Sequence, residues 1–170
     1  MNDKAVWQEA GFFTEVVNVA TAMDKLADHV QQMGARFANF SREELLHQTA
    51  PGKWSRLQII GHLIDSAVNN LRRFTEIQFL PQPYKLVSYQ QNEWVMANGY
   101  QNLPPDHLLN LWMALNQQII YVVKNIPAEK LEYRVDPQYE NKEIKSLGWI
   151  ICDYVAHLEH HLKQLDKFKS

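Results

Sequence analysis

The chain has 170 residues, of which 46% are hydrophobic and 21% charged, with a formal net charge of −2; this is material for one ordinary core and carries no electrostatic footprint for DNA or RNA. No basic run argues for a membrane surface, no apolar stretch nears the ~20 residues of a membrane span, and Met1-Asn2-Asp3-Lys4-Ala5 lacks the features of a secretion signal. Cys152 is the one cysteine, which rules out an internal disulfide and a Cys-based zinc knuckle and leaves a cytoplasmic, single-domain protein over residues 1–170 as the expectation.

The first long helix is expected from about Thr14 to Phe37, where Val16, Val19, Ala20, Met23, Leu26, Ala27, Val30 and Met33 recur at spacings of three and four. Ser41 and Glu44 have capping-box spacing and predict a short helical turn before the Pro51-Gly52 break. Ser55 and Gln58 repeat that spacing and open a second long helix to about Phe79, ahead of Pro81 and Pro83. Its apolar stripe is Ile60, Leu63, Ile64, Ala67, Leu71 and Phe74. Roughly opposite runs a polar stripe of His62, Asp65, Asn69, Arg73 and Glu76.

Residues 82–103 form a long connection with one short helix near Gln90–Asn98, ended by Gly99. Pro104-Pro105-Asp106 starts the third long helix, which carries Leu108, Leu111, Trp112, Leu115, Ile119, Val122 and Val123 and stops near Pro127. Residues 128–145 are polar and irregular, with Leu131 to Val135 as the one candidate strand. Ser146 caps a last helix that keeps its rhythm through Ile151, Val155, Leu158, Leu162 and Leu165 to about Phe168. Four long amphipathic segments predict an all-α fold, a four-helix bundle whose long connection can cross from one end to the other.

Seven histidines are present, three of them in His157-Leu158-Glu159-His160-His161. At 3.6 residues per turn, His157 and His161 stand about 40° apart on one face, so both imidazoles can reach one metal ion. Taken alone, such a pair is more often structural than ligating. His160 points away from the Leu158/Leu162 seam and is expected in solvent. A third ligand is needed, and His62 is the best candidate, the competing reading being that its stripe is simply the solvent face. His29, His47 and His107 lack partner spacing and read as surface or capping residues.

Three neutral imidazoles would leave a divalent ion its full charge and an open position, which suits catalysis. Asp65, one turn beyond His62, could orient an imidazole, accept a proton, act as a fourth ligand, or be an exposed acid. Cys152, beside Ile151 and Val155, is expected to be a structural thiol, and Trp94 a core residue, with lining a pocket as the alternative.

Three stretches carry a resemblance. They are Lys53-Trp54-Ser55 followed by Ile59-Ile60-Gly61-His62-Leu63; His62-Leu63-Ile64-Asp65-Ser66 with Asn69 and Arg72-Arg73-Phe74; and His157-x-x-His160-His161-Leu162-x-Gln164-Leu165. Together they resemble the DinB-like superfamily of metal-binding four-helix bundles, and within it the YfiT-like group of metal-dependent hydrolases. The resemblance extends over nearly the whole chain. It implies a bundle with down-up-up-down order and a long crossover, one divalent metal (nickel or zinc) on His62, His157 and His161, and a homodimer. Characterised relatives are bacillithiol S-transferases and the mycothiol-dependent maleylpyruvate isomerase, in which the metal activates a low-molecular-weight thiol. Many DinB-like chains carry Arg-Gly after the final histidine; Leu162-Lys163 stand there in this chain, which leans toward the YfiT-like branch.

Three functions fit. An S-transferase would use the metal to activate a small-molecule thiol against an electrophile, with Asp65 and Asn69 as catalytic candidates and Arg73 binding the thiol as cofactor. A hydrolase would activate water against a small ester or amide. A non-catalytic metal-binding stress protein would close the site with a fourth protein ligand, Asp65 being the candidate.

Overall fold

The computed structural model describes residues 19–138 and 143–167. Its helices are α1 (Val19–Ala38), α2 (Arg42–Leu46), α3 (Arg56–Glu76), α4 (Gln91–Ala97), α5 (Pro105–Lys124) and α6 (Leu147–Asp166). The expected helix positions Thr14 to Asn18 and Phe168 lie outside the described residues. Helices α1, α3, α5 and α6 form a bundle in which α5 packs on both α1 and α3, and α6 packs on the same two. The first and second long helices (α1, α3) and the third and fourth (α5, α6) therefore stand across the bundle from each other, while α3 and α5, joined by the crossover, lie side by side. That is the topology a long crossover permits and a short hairpin loop does not.

The caps form as their spacing predicts. The Ser41 Oγ accepts from the Glu44 N–H at 3.2 Å, and the Glu44 carboxylate accepts from the Ser41 N–H at 2.7 Å. Ser55 and Gln58 make the same reciprocal pair at 3.2 and 3.0 Å. Each box satisfies two backbone donors that the first helical turn would leave open. The Ser146 cap receives the Trp149 N–H at 3.1 Å. Gly99 has a left-handed φ of 62° and ends α4 as anticipated.

Core positions follow the predicted stripes, apart from Leu111 of α5, which is 37% exposed. Met23, Leu26, Met33, Ile60, Leu63, Leu108, Trp112, Ile119, Ile151, Leu158 and Leu165 are all buried. On α1, Ala22 takes the buried place expected of Ala20, which is exposed. The clearest departure is α3. Residues 56–67 are buried on every side, so the polar stripe is not a solvent face at its N-terminal end. α4 and the short 3-10 turn Tyr100–Asn102 pack on α3 there, and α6 closes the other flank.

The connections hold structure that periodicity could not find. Strand β1 (Tyr84–Lys85) pairs in parallel with β2 (Arg134–Asp136), and β2 pairs antiparallel with β3 (Lys145–Ser146). The candidate strand Leu131 to Val135 is instead a 3-10 turn over Ala128–Glu132 followed by β2. Two- and three-residue strands are too short for an alternation signal. Trp94 is a second correction: it is only half-buried and packs on Tyr89, ring centroids 5.2 Å apart, outside the core cluster.

Candidate metal centre

α3 and α6 bring three imidazoles to one point. His62 and His157 place their Nε2 atoms 3.2 Å apart, and His161 and His157 place theirs 3.0 Å apart. Ring centroids are separated by 5.2 Å (His62–His157), 4.7 Å (His62–His161) and 4.5 Å (His157–His161), with the planes steeply inclined to one another. The residues are 0%, 9% and 8% exposed in chain order. Among the described residues they form the one group of His, Cys, Asp or Glu side chains close enough to share an ion.

Hydrogen bonding alone cannot satisfy this arrangement. Each neutral imidazole nitrogen is a single donor or a single acceptor, yet the Nε2 of His157 faces two other Nε2 atoms. The outer nitrogens show where the protons sit. Nδ1 of His161 lies 2.9 Å from Oε1 of Gln164, and Nδ1 of His157 lies 3.5 Å from Oγ of Ser66. With Nδ1–H donating outward, three Nε2 lone pairs point at a common centre. Nitrogen ligands at about 2.0–2.1 Å from an ion, 90–110° apart, would be separated by about 2.9–3.4 Å. The observed spacing fits that donor set.

Burial sets the charge state. Desolvation, with the neighbouring imidazoles adding to it, lowers the pKa of His62 to about 3 and that of His157 well below its ordinary value. Desolvation likewise lowers His161 to about 4, opposed by the Gln164 hydrogen bond. All three rings are neutral in the physiological range, which is the form that ligates metal.

Asp65 is 1% exposed and stands outside the coordinating group, so the geometry does not favour it as a fourth ligand. Its Oδ1 accepts the Tyr100 hydroxyl at 2.6 Å and the Asn98 amide at 2.9 Å. Burial raises its pKa to about 6 against the opposing pull of those two bonds. Asn69 donates back to the Asp65 carbonyl at 2.8 Å. Arg73 lies further along α3, where its guanidinium donates to the Val87 carbonyl at 2.8 Å and to Asn70 Oδ1 at 3.4 Å. It anchors the crossover and stands well apart from the imidazoles in chain register.

Of the remaining histidines, His160 departs from the solvent position expected of it, because Gln164 and the His161 ring cover one side of it. His47 and His107 are exposed. His29 reaches across from α1 to Glu159 of α6 at 3.3 Å. His160 is half-buried and accepts from the Gln164 amide at 3.0 Å, so it braces the residue that braces His161. Cys152 is half-buried, and burial beside Asp153 pushes its thiol up, away from the reactive thiolate.

Several neighbours carried no sequence signal of their role. Trp54 lays its ring 4.8 Å from that of His62. Tyr100 and Asn98 come from the crossover, and Gly61 makes room for Tyr100: a Cβ at position 61 would lie 2.0 Å from its ring. Only Gln164 had a detectable cue, its spacing of three from His161 on one helix face.

Comparison with known proteins gives a consistent picture. A family model described as the DinB superfamily matches residues 25–165. A protein of Oceanobacillus iheyensis named "Putative metal-dependent hydrolase" is 26% identical over 167 residues, covering 97% of this chain and 95% of its own length. A second protein of that organism with the same description is 22% identical over 143 residues, 84% of this chain and 80% of the relative. Among solved structures, Bacillus subtilis YfiT, described as "a probable metal-dependent hydrolase with an unusual four-helix bundle topology", superimposes with a TM-score of 0.78 at 18% identity, covering 88% of this chain and 84% of YfiT. The mycothiol-dependent maleylpyruvate isomerase superimposes with a TM-score of 0.59 at 14% identity, covering 86% of this chain and 60% of the isomerase.

Proposed function

The chain belongs to the DinB superfamily, and on that premise we propose that it is a metal-dependent enzyme in which His62, His157 and His161 hold one divalent ion, nickel or zinc, used to activate a low-molecular-weight thiol for transfer to an electrophile. One observation carries the reading: three buried, neutral imidazoles aim their Nε2 atoms at one centre, with no fourth protein ligand among the described residues. When bound there, a divalent ion keeps its full charge and acts as a Lewis acid that lowers the pKa of a thiol or water.

The chain's own residues do the rest. The outer partners Ser66 and Gln164 hold two of the rings in the ligating tautomer. The apolar walls of α3 and α6 limit water and strengthen local electrostatics. Asp65 supplies a buried carboxylate that can hold a proton, and Asn69 an amide oxygen whose partner amine is already tied to its own helix. In the reaction the thiol would give up its proton to Asp65 or a water, sulfur would bond to the electrophilic carbon, and the leaving group would depart with its electron pair. Arg73, engaged with the crossover, is the cation available to a thiol's polar groups at the far end of α3.

A second reading, hydrolysis of a small ester or amide by an activated water, has the names of the relatives in its favour. The deciding experiment is metal analysis of the purified protein followed by two assays. Metal-dependent loss of a free thiol in the presence of a haloarene supports transfer. Metal-dependent ester or amide cleavage without added thiol supports hydrolysis. A protein that takes up neither zinc nor nickel removes both.

A further inference from the structure

α3 carries two buried polar atoms that meet no partner among the described residues: Nδ1 of His62 and Oδ2 of Asp65. Their side chains are 0% and 1% exposed and stand one turn apart. The two atoms are complementary. Nε2 of His62 turns toward the other imidazoles, so the ring proton belongs on Nδ1 and makes it a donor; a carboxylate oxygen is an acceptor. The other two ligands already have their outer acceptors in Ser66 and Gln164.

The crossover dictates which carboxylate oxygen stays open. The Tyr100 hydroxyl and the Asn98 amide both occupy Oδ1. Tyr100 reaches it only because residue 61 is glycine, since a Cβ there would fall 2.0 Å from Cδ2 of the ring. A contact this close is built into the sequence of α3 immediately before the ligand.

We propose that Asp65 is a positioning residue for His62, accepting the Nδ1–H of that imidazole at Oδ2 after a small side-chain rotation or through one water, with Tyr100 and Asn98 holding the carboxylate from the crossover. The inference rests on the metal reading above and makes it more specific: the proton Asp65 holds is that of the ligand ring. A carboxylate partner makes the imidazole a stronger donor to the ion and fixes its tautomer.

Zinc is the probe. Wild type, Asp65→Ala and Tyr100→Phe are loaded with zinc, affinities are compared by chelator competition, and the His62 Nδ1–H is followed by NMR on protein with isotope-labelled histidine. Asp65→Ala is expected to bind zinc about 10–100-fold more weakly and to lose the His62 Nδ1–H signal to solvent exchange. Tyr100→Phe removes one hydroxyl from a ring that packing holds in place, and is expected to shift that signal while those of His157 and His161 stay put. Unchanged affinity with an unmoved signal in both variants overturns the proposal. Should Asp65→Ala fail to fold, the signal in Tyr100→Phe decides alone. Wild type that takes up neither zinc nor nickel ends the metal reading and this one with it, whereas zinc uptake with an unmoved signal ends only this one.

Discussion

Nε2 of His161 lies 3.0 Å from Nε2 of His157, one turn earlier on α6, and its opposite nitrogen is fixed at 2.9 Å by Gln164. The two ends of one ring are thus committed to different tasks: one faces the shared centre and the other locks the tautomer. His160, adjacent in sequence, meets the other end of the Gln164 amide and stands edge-on to the His161 ring, centroids 5.3 Å apart, with no nitrogen in the shared centre.

That difference gives a sharp contrast between neighbours. His161→Ala is expected to strip most of the bound metal, as removal of one ligand in three should. His160→Ala removes a brace on Gln164 and an edge contact to the His161 ring but no ligand, and its affinity loss is expected to stay below the about 10-fold that marks the low end of outer-partner effects. Metal content after dialysis, read by elemental analysis, separates the two. Equal loss in both variants would mean that the wrong face of α6 has been assigned.

Stability of the metal-free protein should fall on acidification. The folded pKa of His62 is about 3 and that of His161 about 4, with His157 lowered as well, whereas in the unfolded chain each titrates near about 6.5. Below that value the unfolded state binds protons that the fold refuses, so stability present above about 6.5 is lost as pH falls toward the folded values. Asp65 and Asp153, each raised by burial to about 6, act in the opposite sense between about 6 and their ordinary value. Three histidines against two carboxylates leave a net loss. Urea midpoints between pH 7.5 and 4.5 are expected to decline, and a flat profile would show that the imidazoles are not buried neutral.

Gly61→Ala tests the socket. In an exposed helix this change would gain about 1 kcal/mol. Here the new methyl meets the Tyr100 ring at 2.0 Å, and overpacking costs about 1–3 kcal/mol, so the expected net effect is destabilisation with displacement of Tyr100 from Asp65. A denaturant midpoint at or above the wild-type value would mean that the crossover yields without cost.

Cys152→Ser is expected to leave any metal-dependent activity in place. The thiol is half-buried, and burial pushes it away from ionisation. Complete loss of turnover in a variant with wild-type zinc content and wild-type stability would bring it back as a nucleophile.

Much of this protein was legible in its sequence. Three-four periodicity marked the four long helices because one face of each must leave water. Capping boxes marked two helix starts because the first turn needs outside acceptors, and the spacing of His157 and His161 is a local property of any α-helix. What only the tertiary structure decided is set by distant chain segments. His62 joins the other two rings because α6 packs along α3, and Asp65 is buried because Tyr100 and Asn98 arrive from a crossover some 30 residues later. The polar stripe of α3 could equally have faced solvent, since periodicity reports which residues share a face and not what covers it. That cover depends on packing between elements remote in sequence, and the desolvation it imposes gives these imidazoles their neutral, ligating form.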